Sequence, residues 1–257
     1  MFLLIEDGFK KTALEVQEYV GLVAAAFRAT FTRPYYRYDI IEQFDAIGVK
    51  SLTVVLLTGF FTGAVLALQS GLTLDQFGAR PVVGRLVSAS MIKELGPVLT
   101  GLMLCGRVGS GIAAELGSMV VTDQINALRA LGTDPIRKLV VPRMLAGIFM
   151  APVLTIIADF VGIVGGWIVA RFQLQVASGI YWSSILQALY MQDVWMGLMK
   201  PFVLGFVIVS VACHVGLRTT GGTQGVGKST TKAVVAGSVG VIAMDFFVTR
   251  IMISLFY

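Results

Sequence analysis

Residues 82–116 read VVGRLVSASMIKELGPVLTGLMLCGRVGSGIAAEL, a mainly apolar run that carries Lys93, Glu94, Arg107 and Glu115 inside it. As one straight helix at about 1.5 Å per residue it would measure about 52 Å, well beyond a hydrocarbon core of about 30 Å. It must therefore tilt, protrude or break. Gly96-Pro97 is the expected break, because proline removes a backbone donor and crowds the preceding turn. Four more regions reach the roughly 20 apolar residues that a membrane-spanning helix needs: Val49–Ser70, Met144–Ala170, Val194–Leu217 and Ala233–Phe256.

Composition agrees. Of 257 residues 56% are hydrophobic and 14% charged, with a mean hydropathy of +0.82, whereas a soluble domain carries about 25% charge. Glycine, at 29 residues, is better tolerated in membrane helices than in soluble ones. The expected fold is an all-α integral membrane protein. An N-terminal interfacial amphipathic helix region (1–45) precedes a five-span transmembrane domain (46–257), with a short cytoplasmic helix between spans 2 and 3. Cys105 and Cys213 fall inside apolar runs and read as packed residues, with no disulfide or metal-ligand spacing. The Met1 to Ile5 stretch, followed by Glu6 and Asp7, is too short for a cleavable secretion signal.

The formal charge of +5 is unevenly placed. Lys10, Lys11, Arg28, Arg33, Arg37 and Lys50 precede the first span. Arg129, Arg137, Lys138 and Arg143 lie between the second and third, and Arg218, Lys228 and Lys232 between the fourth and fifth. The opposite loops hold only Arg80 and Arg171. By the positive-inside rule the N-terminus and both basic loops are cytoplasmic and the C-terminus faces outward. The basic surplus is thus explained by topology, and no nucleic-acid partner is expected. Near the N-terminus Val16, Val20, Val23 and Phe27 oppose Glu15, Glu18 and Arg28 at helical spacing, the pattern of a helix lying along the membrane surface. The pairs Gly59/Gly63 and Gly162/Gly166 are either helix-contact faces or chance spacings in glycine-rich helices.

Several ionisable residues lie within apolar regions, among them Lys93, Glu94, Arg107, Glu115, Asp159, Lys200 and Asp245. Each costs about 2.5 to 3.5 kcal/mol at a helix centre. Lys93, Glu94, Lys200 and Asp245 are expected to face a polar cavity; the structural alternative is that Lys200 and Asp245 simply pair. Arg107 and Glu115, near the cytoplasmic end, are expected to snorkel or bind backbone. Asp159 fits either role, and the single His214 is not expected to be a ligand.

Gly222 to Ser229 matches G-x-x-x-x-G-K-S/T, the loop that cradles nucleotide phosphates. That loop works only between a strand and a helix of an α/β sheet. Between two membrane spans the match is expected to be a chance one, in a Gly/Thr/Ser-rich cytoplasmic turn. Residues 121–135, VTDQINALRALGTDP, have the grammar of a short amphipathic helix. Thr122 is the expected cap, Asp123 lies in the first turn, Ile125, Leu128 and Leu131 share one side, and Gly132 and Pro135 terminate. Such a helix either lies on the membrane or docks in a groove of a cytoplasmic partner.

These strings resemble one family. Lys93-Glu-Leu-Gly-Pro-Val98, Gly106-Arg-Val-Gly-Ser-Gly-Ile-Ala-Ala-Glu-Leu-Gly117, Thr122-Asp-Gln-Ile-Asn-Ala-Leu128, Asp134-Pro135 and Val141-Pro-Arg143 are similar to the MlaE (YrbE) family of ABC-transporter permeases. Gly225 to Val235 and Met244 to Thr249 fit the same family, so the resemblance runs from about residue 45 to the C-terminus. It implies a homodimeric permease in the bacterial inner membrane that moves phospholipid between inner and outer membranes. The implied partners are a cytoplasmic ABC ATPase, a periplasmic ring of MCE-domain protein and a STAS-domain protein. ATP and magnesium would be used by the ATPase, with no cofactor bound by this chain. Thr122 to Leu131, including Gln124 and Ala127, would be the coupling helix, with Asp123 where many members carry Glu. Glu94, Lys200 and Asp245 would lie on the lipid pathway, with Lys93 replacing a frequent Arg. A lysine grips phosphate as a point charge and not as a fork.

The implied mechanism has ATP closing the ATPase pair, the coupling helices moving with it, and the lipid cavity changing volume. Acyl chains would lie on Phe60, Phe61, Val65, Leu66 and Leu68, with the head near Lys93, Glu94 and Lys200. Two rivals stand beside it: a proton-driven secondary transporter using Glu94, Asp159 and Asp245, and a non-transporting membrane scaffold.

Overall fold

The computed structural model describes the backbone of residues 2–33 and 35–256, and the side chains of 13–33 and 35–255. The reading of Met1 to Asp7 and the side chains of Lys10 and Lys11 lie outside the described residues. Among the described residues there is no strand. The helices are α1 (Phe2–Thr30), α2 (Arg37–Ile47), α3 (Leu52–Asp75), α4 (Val83–Ser90), α5 (Gly96–Leu104), α6 (Ser110–Val121), α7 (Gln124–Ala130), α8 (Val141–Phe172), α9 (Ser178–Ala188), α10 (Met191–Leu217) and α11 (Gly222–Phe256). Five continuous helical runs are long and apolar enough to cross a membrane: Arg37–Asp75, Arg80–Val121, Ile136–Phe172, Met191–Leu217 and Gly222–Leu255. Each includes most or all of an expected span, and all but Met191–Leu217 are much longer, because polar helical turns continue past the apolar part.

The small-residue pairs meet each other. A Cβ on Gly59 would lie 2.8 Å from the Ala158 carbonyl, and one on Gly63 would run into the Gly162 carbonyl. A Cβ on Gly162 would in turn come within 3.0 Å of the Gly59 carbonyl, and one on Gly166 within 3.2 Å of that of Gly63. The backbones of α3 and α8 therefore touch along two turns, which only glycine allows.

Residues 80–121 do not break at Gly96-Pro97. The run stays helical through two π-turns, Met91–Leu95 and Cys105–Gly109, with Pro97 in the first turn of α5. A π-turn accommodates an extra residue without ending the helix and re-aims the side chains beyond it. A third π-turn, Ile136–Val140, leads into α8 ahead of Pro142.

Helix α1 is held against the rest of the chain by side-chain contacts. The Tyr19 and Ser210 hydroxyls share a hydrogen bond of 2.8 Å, Glu18 pairs with Arg218, and Glu15 lies 3.3 Å from Lys232. Val16, Val20 and Phe27 point outward from the described protein. The expected amphipathic helix is present, with part of its polar face turned to α10 and α11. His214 lies edge-to-ring with Tyr19 at 5.6 Å, a packing role. On the opposite side of the bundle Tyr181 of α9 is buried and donates to the Ile163 carbonyl at 3.0 Å. Burial pushes its phenol well above the usual range.

Candidate functional site

Pro97 sets up the site. Having no N–H, it leaves unmatched the carbonyls four and five residues earlier, those of Lys93 and Ile92. The Lys200 ammonium of α10 donates to the Lys93 carbonyl at 2.7 Å. The Ile92 carbonyl faces Gly197, one helical turn before Lys200, where a Cβ would collide with it. A freed carbonyl in the second span thus anchors a cation from the fourth.

Lys200 is 0% exposed and also pairs with Glu94 Oε2 at 2.7 Å. Asp245 Oδ1 of α11 lies 3.4 Å from the same nitrogen, an ion pair without hydrogen-bond geometry. Beside this triad Lys93 pairs with Asp193 Oδ1 at 2.6 Å. A lone buried ammonium would be prohibitive; two carboxylates and a carbonyl offset its desolvation. The structure therefore brings together all four expected residues, Lys93, Glu94, Lys200 and Asp245. The Lys200–Asp245 pair of the structural alternative exists, and Glu94, its side chain 45% exposed, joins it.

Leu95, the residue after Glu94, borders a groove. Phe61, Thr62, Val65, Leu66, Gln69 and Leu95 line a cavity of about 380 Å³ between α3 and the first π-turn. Phe61, Val65 and Leu68 lie on the exposed apolar stripe of α3. Phe60 does not face the groove. It is half-buried on α8, where a Cβ on Gly165 would come within 3.1 Å of its ring.

The helix α7 lies at the other end. Asp123, and not Thr122, occupies the N-cap, in the left-handed region at φ 57°. The Thr122 hydroxyl instead donates to the Ser118 carbonyl, and Asp123 accepts from the Asn126 amide at 3.0 Å. Aspartate tolerates this backbone better than most residues. Ile125 is buried in the chain's own core and Leu128 packs against it, so Ile125 is not a docking anchor. The outward surface of α7 and its flanks comprises Thr122, Asp123, Gln124, Ala127 and Leu131, the last 79% exposed.

The phosphate-loop match is not a turn. Gly222 to Ser229 forms the first two turns of α11, so most of its amides are committed to the helix and form no cradle.

A profile of the family described as Permease MlaE matches residues 40–251. The chain belongs to the MlaE permease family. It is 40% identical over 255 residues to a probable ABC transporter permease protein of Rickettsia bellii, covering 98% of each chain. It is 36% identical over 230 residues, 88% of each, to the intermembrane phospholipid transport system permease protein MlaE of Haemophilus influenzae. It is also 36% identical over 208 residues to the chloroplastic protein TRIGALACTOSYLDIACYLGLYCEROL 1 of Arabidopsis thaliana, covering 81% of this chain and 59% of that one. As a member of the MlaE family the chain is a multi-pass transporter permease subunit and not a catalytic enzyme.

Two buried charges of this MlaE-family chain were hidden in the sequence. Asp193, 1% exposed, reads as a loop residue at the end of residues 171–193, yet it lies in the first turn of α10, where it also accepts from the Tyr190 amide at 3.4 Å. Its spacing from Tyr190 was the available signal. Arg143, expected in a basic loop, is 3% exposed at the start of α8. It pairs with Glu115 at 2.7 Å and donates to the Leu139 carbonyl. Glu115 is thus an ion-pair partner, whereas Arg107 binds backbone as expected, at the Ala46 carbonyl.

Proposed function

We propose that this chain is the membrane-spanning half of an ATP-driven transporter that moves phospholipid between the inner and outer membranes of a bacterium. The observation that carries the reading is the buried Glu94–Lys200–Asp245 triad, with the next residue, Leu95, on the wall of an apolar groove, in a chain 36% identical to a phospholipid transport permease. The groove takes acyl chain on Phe61, Val65 and Leu66, with Leu68 on the same exposed stripe of α3, and the head lies near Lys93, Glu94 and Lys200. Phosphate competes with Glu94 and Asp245 for the ammonium, so head binding loosens the three-helix clasp.

Two copies face each other across the uncovered stripes of α3 and α11 in the inner membrane, with the N-terminus cytoplasmic. The basic bias of the segments around α1, α7 and the start of α11 supports that orientation. So does the bond from Arg137 to the Arg33 carbonyl, which keeps two of these segments at one end. A cytoplasmic ABC ATPase, using ATP and magnesium, grips α7. An MCE-domain ring and a STAS-domain protein complete the assembly.

The test is Asp123→Arg in the reconstituted transporter. It should leave the permease assembled and ATP hydrolysis running while lipid transfer falls at least tenfold. Asp123→Asn, which keeps the left-handed turn, separates charge from backbone strain. Unchanged lipid transfer in Asp123→Arg would count against the reading.

A further inference from the structure

A second cavity, of about 360 Å³, lies between α8 and α10, with Ile92, Ile156, Phe160, Val194 and Leu198 among its walls and Asp159 lining it. Ile156, Phe160 and Val194 are exposed, so the cavity opens on the outer surface of the bundle, where acyl chains lie. Asp159 is 9% exposed. Its Oδ1 packs against Gly96 of α5, where a Cβ would collide with it, and has no hydrogen-bond partner, so an occupant of the cavity meets the carboxyl at its other oxygen.

Among the described residues no ion pair or hydrogen bond neutralises this group. The cavity walls hold no Lys, Arg or His, and the Thr155 hydroxyl is spent on the Ala151 carbonyl at 2.9 Å. The cations at the same depth are engaged, Lys93 by Asp193 and Lys200 by Glu94 and Asp245. A buried acceptor left without a donor costs about 1–3 kcal/mol, more when charged, and a charged group inside a membrane helix marks a functional site by default.

We infer that this cavity is a binding site for a single-chain cationic amphiphile, a long-chain primary amine whose ammonium donates to Asp159 while its chain lies on Ile156, Phe160 and Val194. The chemistry follows from the walls: they supply apolar surface and one acceptor, so the ligand must bring both donor and positive charge. The volume admits about a dozen non-hydrogen atoms at the roughly 30 Å³ that a water occupies in the liquid. Ile92 and Gly197 line the cavity, so the occupant lies back to back with the Lys93–Lys200 bond across the π-turn. This site is distinct from the α3 groove and does not depend on the proposed lipid pathway.

The test is equilibrium binding of radiolabelled dodecylamine to the full chain in phospholipid nanodiscs, with dodecanol and dodecanoate as competitors. Saturable binding of one amine per chain is expected, weakened at least tenfold by Asp159→Asn and by Ile156→Trp, which fills the mouth without touching the carboxyl. Dodecanoate should compete at least tenfold less well than unlabelled amine. Wild-type affinity in both variants would overturn the inference. So would equal competition by dodecanoate, or binding lost in Glu94→Gln and kept in Asp159→Asn.

Discussion

Lys200→Met should abolish lipid transfer and destabilise the folded chain by about 3–5 kcal/mol, the cost of removing one partner from a buried ion pair. The loss is large because one nitrogen serves three groups: Glu94 at 2.7 Å, Asp245 at 3.4 Å and the Lys93 carbonyl at 2.7 Å. Without it two carboxylates face each other, and the carbonyl that Pro97 cannot serve has no donor. Thermal unfolding in nanodiscs reads the stability, and a lipid-transfer assay the function. The triple variant Lys200→Met, Glu94→Gln, Asp245→Asn should regain most of the stability, since neutral groups need no counter-charge, yet stay inactive. A Lys200→Met chain with wild-type stability and transfer would refute the site.

Gly63→Val should prevent accumulation of folded protein. A Cβ at Gly63 meets the Gly162 carbonyl, which is backbone and cannot swing aside. Helix α3 would have to lift off α8 along the contact that includes Gly59 and Gly166. Overpacking commonly costs about 1–3 kcal/mol where side chains can yield; here they cannot, and the effect should exceed that range. Gly111→Ala on α6, with nothing within 4 Å of the added carbon, is the control and should fold normally. Membrane-fraction yield and detergent size-exclusion profiles distinguish the two.

What the sequence disclosed follows from how local each signal is. The five spans were readable because a bilayer imposes a length on any apolar helix. Gly59/Gly63 and Gly162/Gly166 were readable as one of two alternatives, contact faces or chance spacings, but not as each other's partners. The buried charges were readable as costs, and Lys200 with Asp245 as one alternative pairing, but not the contact of Lys200 with the Lys93 carbonyl, 107 residues away. For the same reason Gly96-Pro97 looked like a break. Proline announces a lost donor, but not that the helix runs on through a π-turn with the Lys93 carbonyl taken up by Lys200. Helical periodicity found the apolar side of α7 but could not say that its own core claims Ile125. Asp193 and Arg143 were misjudged because flanking polarity suggested loops where helices had already begun.

In the proposed mechanism a separate ATP-binding subunit moves this chain by gripping the outward face of α7. Photo-crosslinking residues placed one at a time at Ala127, Leu131 and Ile125 in the assembled transporter test it most directly. Ala127 and Leu131 should crosslink to the ATP-binding subunit, and the buried Ile125 should react only within its own chain. No crosslink from Ala127 or Leu131, with the assembly intact, would contradict it.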